Sequence, residues 1–149
     1  MPDHLRLTIN FEEDGTAELH AKVQANGFLG KSSAWLNPES IMDFANRLAA
    51  AFPLHEPLEL RGGYWGTRPG EGLSQEHLSL RFYPVEGRGV LGCQVRLATP
   101  LREHERIELQ HAVRAELLTS YQELQSFSVA LIKLAQGTDD VAVLNAVAV

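Results

Sequence analysis

The chain has 149 residues, 44% hydrophobic and 21% charged, proportions that belong to an ordinary folded domain and exclude the disordered and fibrous classes. A domain of this size removes about 70% of the surface its unfolded chain exposes, so it needs neither disulfide nor metal to fold, and its single cysteine, Cys93, has no partner for an internal bridge. Thirteen Lys and Arg against nineteen Asp and Glu give a net charge of −6 with no run of cations, which argues against nucleic acid or an anionic membrane as partner and suits a basic protein.

The opening residues Met1-Pro2-Asp3-His4-Leu5-Arg6 hold no apolar stretch of signal-peptide length, and the expectation is a cytoplasmic protein with no membrane span. Leu5, Leu7, Ile9 and Phe11 alternate with His4, Arg6, Thr8 and Asn10, the period-2 signature of a strand with one wet face. Glu13-Asp14-Gly15 supplies a turn, and Ala17, Leu19, Ala21, Val23 and Ala25 then alternate with Glu18, His20, Lys22 and Gln24 to complete a hairpin. A loop at 26–30 and a short third strand through Ala34 and Leu36 follow. Asn37-Pro38-Glu39 opens a helix, since Asn caps, Pro fits the first helical position and Glu favours the positive helix end. That helix should run to about Ala51, ahead of Pro53, and Leu58-Glu59-Leu60 reads as a fourth strand that stops at Gly62 and Gly63.

The order then returns. Leu78, Leu80 and Phe82 lie 73 positions after Leu5, Leu7 and Ile9, and Leu91, Cys93, Val95 and Leu97 lie 72 after Leu19, Ala21, Val23 and Ala25. Cys93 sits there as a small buried hydrophobe. Ile41, Phe44 and Leu48 make one apolar helical stripe behind Asn37; Leu124, Phe127 and Leu131 repeat it 83 positions later behind Ser120, with Glu123 at capping-box spacing and Gly137 placed to end the helix. Between them the charged segment 99–106 is an insertion, and 107–117 alternates as a third strand. Val141 and Val143, 83 after Leu58 and Leu60, close the second unit. The run 141–149 is apolar on both faces apart from Asn145, which suits a central place in a sheet or pairing with a second copy in a homodimer. The fold expected is therefore α+β: a single domain of two β-β-β-α-β repeats, about 4–61 and 77–144, joined by a Gly-rich connection at 62–76. A mainly antiparallel sheet, continuous or split, carries both helices on one face about a pseudo-twofold axis.

Chemistry is sparse. The connection holds Arg61, Tyr64, Trp65 and Arg68 among glycines, the aromatic and guanidinium types on which interface hot spots draw, and these four are the candidate partner-binding residues. Ala25-Asn26-Gly27-Phe28-Leu29-Gly30-Lys31-Ser32 fits a relaxed phosphate-loop pattern, in which backbone amides cradle phosphates, Lys31 reaches the outer ones and Ser32 holds magnesium; such a loop needs a helix starting at the lysine. The six histidines, 4, 20, 55, 77, 104 and 111, show no metal-ligand spacing, and Glu12, Glu13, Asp14, Asp139 and Asp140 fall in turns. No catalytic residue, metal site or cofactor is implied.

The alternating strand pair, Leu36-Asn37-Pro38-Glu39-Ser40-Ile41-Met42-Asp43-Phe44-Ala45, Leu124-Gln125-Ser126-Phe127-Ser128-Val129-Ala130-Leu131 and a closing strand at 137–144 together resemble the WapI-type immunity proteins of bacteria over nearly the whole chain. The resemblance implies a small cytoplasmic binder that neutralises a toxin in the producing cell. The expectation is thus a non-enzymatic protein-binding module. The alternatives are a nucleotide-binding enzyme built on Gly30, Lys31 and Ser32, or a small-molecule carrier with a groove between sheet and helices.

Overall fold

The computed structural model describes residues 2–66 and 68–148. Thr67, inside the glycine-punctuated segment, and Val149, at the end of the terminal apolar run, lie outside the described residues. Strand β1 (His4–Phe11) pairs antiparallel with β2 (Ala17–Ala25), Leu5 opposite Val23 and Leu7 opposite Ala21. The apolar set of both strands therefore shares one face, where Leu5, Leu7, Leu19 and Val23 are fully buried. Asn26 and Gly27 both take positive φ, 49° and 83°, the geometry of a two-residue type I′ turn whose twist suits a hairpin. The next strand begins at once. β3 (Phe28–Leu36) has nine residues, longer than the short strand expected, because Gly30, Lys31, Ser32 and Ser33 take part in the ladder without adding apolar alternation.

Helix α1 (Pro38–Ala49) starts where its signals place it, with the Asn37 side chain accepting from the Glu39 amide at 3.0 Å, and ends two residues before Ala51. β4 (Leu58–Trp65) does not stop at the glycines: it passes through Gly62 and Gly63, with ladder irregularities at Gly62/Gly63 and Tyr64/Trp65. β5 (Leu73–Val85) folds back on it, so most of the connection expected at 62–76 is the outer end of a hairpin. β6 (Val90–Ala98) and β7 (Ala112–Ser120) follow. Residues Ile107–Leu109, expected to begin a strand, form a 3₁₀ turn instead, the Leu109 and Gln110 amides donating to the carbonyls of Arg106 and Ile107. Apolar spacing of two fits a short 3₁₀ turn as readily as a strand end.

Helix α2 (Tyr121–Ala135) opens on Ser120, whose hydroxyl accepts from the Glu123 amide at 3.2 Å. It closes with Gly137 at φ 78°, the Gly137 amide on the Leu134 carbonyl and the Thr138 amide on that of Lys133, the paired bonds of a Schellman cap. β8 (Ala142–Asn145) then pairs with β1, Leu144 opposite Leu5 and Ala142 opposite Leu7. Its inward residues are Ala142 and Leu144, not Val141 and Val143, since a one-residue slip exchanges the faces of a strand. Both are fully buried within the chain. Beyond them the Ala146 amide bonds the Asp3 carbonyl and the Val147 amide that of Leu118.

The class is α+β, with two four-stranded antiparallel sheets ordered β3-β2-β1-β8 and β4-β5-β6-β7. β4, expected to complete the first unit, lies in the second sheet, and β8 lies in the first. β3 contacts all four strands of the second sheet, and α1 packs on α2. Between the helices sits Phe82 of β5, its ring centroid 6.1 Å from that of Phe44 on α1 and 6.0 Å from that of Phe127 on α2. Both helix stripes thus reach the inner face of one sheet through one side chain. Phe82→Ala should cost roughly 3–5 kcal/mol, at least as much as Phe44→Ala, because it empties the centre of the stack; urea titration of the two variants checks the order.

Candidate functional site

Two surfaces of the molecule stand out. The first is the end of the β4–β5 hairpin. β5 pairs with β6 only from Leu78 onward, so the pairs Gly63–Glu76, Tyr64–Gln75 and Trp65–Leu73 form a two-stranded ribbon beyond the sheet. The Gly66 amide bonds the Gly72 carbonyl at 3.0 Å to close it. The base of the ribbon is pinned to the 99–106 insertion: the Gln75 side-chain nitrogen donates to the Leu101 carbonyl at 2.8 Å, and the Leu101 amide donates to Gln75 Oε1 at 3.0 Å. His77 Nε2 lies 3.0 Å from that same Oε1, and since an amide oxygen only accepts, the imidazole proton sits on Nε2. The Tyr64 ring meets the His77 ring edge-on, centroids 4.6 Å apart.

The four residues singled out in this region fall into two groups. Arg61 is engaged: its Nε lies 2.6 Å from Glu76 and 3.6 Å from Glu59, and the hydrogen bond to Glu76 raises its already high pKa further. Tyr64 and Trp65 remain 47% and 56% exposed. Arg68 is 86% exposed, with a 3.8 Å contact to Glu71 as its nearest ion pair, a geometry worth little at a solvated surface. The ribbon therefore offers Tyr64, Trp65 and Arg68, while Arg61 secures its base.

Gly30, Lys31 and Ser32 lie in the middle of β3, and the strand continues through them to Leu36, so no helix N-terminus faces Lys31 as a phosphate loop requires. Ser32 Oγ instead donates to the Ala98 carbonyl at 2.6 Å. Gly30 serves packing, because a Cβ placed there would collide with Cγ1 and Cβ of Val113 on β7.

Lys31 belongs to the second surface, which sequence reasoning missed. In the ladders of the first sheet Arg6 stands opposite Lys22, and Lys22 opposite Lys31. Three cations thus form one row across β1, β2 and β3 on the outer face. None of the three is in an ion pair among the described residues. Like charges directly opposite destabilise a sheet. Over this row lies a groove of about 520 Å³, with Thr8, His20 and Ser33 beside it and Thr99 and Pro100 of the insertion as a wall. The signal was present as outward-facing positions in three strands, but it becomes a cluster only once both registers are known.

Other features are structural. Cys93 is fully buried, and burial pushes its thiol pKa well up. Tyr83 donates to Glu116, and burial together with that bond raises its pKa. A groove of about 840 Å³ is lined by Phe11, Trp35 and the acidic turn of Glu12, Glu13 and Asp14. Among the described residues no three His, Cys, Asp or Glu are grouped to hold a metal, and no helix is long and apolar enough to cross a membrane.

What these surfaces define is an α+β protein with an aromatic ribbon at one edge and a cationic groove on one sheet. Compared with family models, curated proteins and solved structures, the chain matches none.

Two measurements follow from the site's chemistry. Burial holds the His77 imidazole below its ordinary pKa, so below about pH 6.5 the unfolded chain binds a proton there that the folded chain refuses. The unfolded state then holds more protons, and the stability His77 contributes, fully present above that pH, is lost as pH falls toward the folded value. Urea midpoints at about pH 7.5 and about pH 5.5 should differ more for the wild type than for His77→Gln, which keeps a donor for Gln75 and removes the titration. Gly30→Ala should destabilise the fold by about 1–3 kcal/mol through overpacking against Val113, with or without nucleotide present; thermal melting read with ATP and magnesium separates this packing role from a phosphate-binding one.

Proposed function

We propose that the protein is a non-enzymatic, cytoplasmic protein-binding module whose contact surface is the end of the β4–β5 ribbon. The observation that carries this reading is the pair of adjacent aromatics, Tyr64 and Trp65, left half-exposed on a ribbon that is braced at its base by Gln75 and Leu101. Large, rigid side chains gain most on desolvation and lose little entropy when a partner immobilises them. Arg68, exposed and weakly paired beside them, has donors to offer a partner's carboxylate or carbonyl groups. A net charge of −6 suits a basic partner through steering of the encounter. The resemblance to WapI-type immunity proteins supports the finer reading, a binder that neutralises a toxin in the cell that makes it.

The test is retention of a partner from native lysate on immobilised wild type and on the Trp65→Ala and Arg68→Ala variants. Wild type should hold a partner that Trp65→Ala releases, the loss corresponding to about 2 kcal/mol or more for a central aromatic. An identical set of bound proteins on all three would remove this surface from consideration.

A further inference from the structure

We propose that the groove on the outer face of the first sheet is a binding site for a small phosphorylated molecule, held by Arg6, Lys22 and Lys31. Strands in a sheet lie about 4.8 Å apart, so the three charged groups rise from a span of about 10 Å, and their flexible stems let the heads converge on a ligand of diphosphate size. Their chemistry is complementary: Arg6 presents a planar fork that binds two oxygens at once, and the two lysines act as point charges. The groove of about 520 Å³ falls in the usual range for small-ligand sites. Its wall of Thr99 and Pro100, brought in by the Ser32–Ala98 hydrogen bond, makes it concave. A nucleic-acid duplex requires an extended cationic track rather than one walled row.

The second sheet shows that the arrangement is particular to this face. There Arg96 also stands opposite Arg114, but the neighbouring groove of about 290 Å³ mixes Arg61, Arg81 and Arg96 with Glu59 and Glu76, and Arg61 and Arg81 are paired to those carboxylates. On the outer face of the first sheet the strands supply one carboxylate, Glu18. It is occupied, accepting from Ser33 at 2.8 Å and lying 3.1 Å from His20. The row of three cations is left with a cavity above it and without an internal counter-charge among the described residues. An anion with two or more charges supplies what the sheet lacks.

The experiment is titration of the full chain with pyrophosphate, by calorimetry and thermal shift, against chloride at matched ionic strength. Wild type should bind one pyrophosphate saturably and melt higher in its presence, whereas chloride at the same ionic strength, which only screens the repulsion, should give a smaller shift that does not saturate. Lys22→Gln and Lys31→Gln should each weaken binding at least about ten-fold, and Arg96→Gln on the other sheet should not. In chloride buffer the two lysine variants should melt at or above the wild-type temperature, because each relieves a cross-strand repulsion; this reading shows that they are folded. No saturable binding at millimolar pyrophosphate, a shift equalled by chloride, or equal weakening by Arg96→Gln would overturn the proposal. So would a short DNA duplex that displaces pyrophosphate at lower concentration, since that would identify a nucleic-acid surface.

Discussion

One side chain, Phe82, holds the two helices and the second sheet in register. It stands between Phe44 and Phe127, and each tilted aromatic contact adds about 0.5–1.5 kcal/mol to what burial alone contributes. α1 and α2 both close on this ring, and Leu78, Leu80, Leu124 and Leu131, fully or almost fully buried, belong to the same core. The outer faces are left to water, and that of the first sheet carries Leu29 and Trp35 as well as charged and polar residues. The cationic row lies on one outer face and the exposed aromatics at a sheet edge, and both depend on a core that leaves those surfaces unburied.

The parts of the fold legible in the sequence are those whose cause is local. Alternation in β1, β2 and β6 and the caps at Asn37, Ser120 and Gly137 specify their elements from a few neighbouring residues. β3 and the outer half of β4 were obscured by glycines and polar residues whose reason lies elsewhere in the chain. Gly30 makes room for Val113, and Gly62 sits against Ala34 and Leu36. Such a glycine looks like a linker until the neighbour that requires it is known. The turn at Asn26 and Gly27 is itself a hairpin signal in the sequence, and the polar residues after it are strand residues without apolar alternation. The partner sheets of β4 and β8 were beyond reach, since alternation says which face is wet and not which strand lies alongside.

The candidate surfaces divide in the same way. Tyr64, Trp65 and Arg68 were visible by composition, and the ribbon explains why they stay exposed rather than folding onto the sheet edge. Arg61, of the same types and nearby, is tied to Glu76 because it stands nearer the sheet, where a carboxylate faces it. The absence of cation clusters in the sequence was true in one dimension only. Positions 6, 22 and 31 meet through two hairpin registers, and Lys31, part of the relaxed phosphate-loop pattern, contributes from the middle of a strand.

The exchange of closing strands has a consequence for how the chain is made. β4 reaches its partner β5 through a short hairpin, but Leu5 and Leu144 are 139 positions apart when they pair. As the chain emerges from the ribosome, β1 therefore acquires β2 early and waits for β8 until 139 further positions after Leu5 have been made. Throughout that interval the free side of β1 is an open sheet edge, the kind that recruits stray strands. Its outward residues His4, Arg6, Thr8 and Asn10 are all polar, and a cation placed midway along a waiting edge discourages the wrong strand from docking there first.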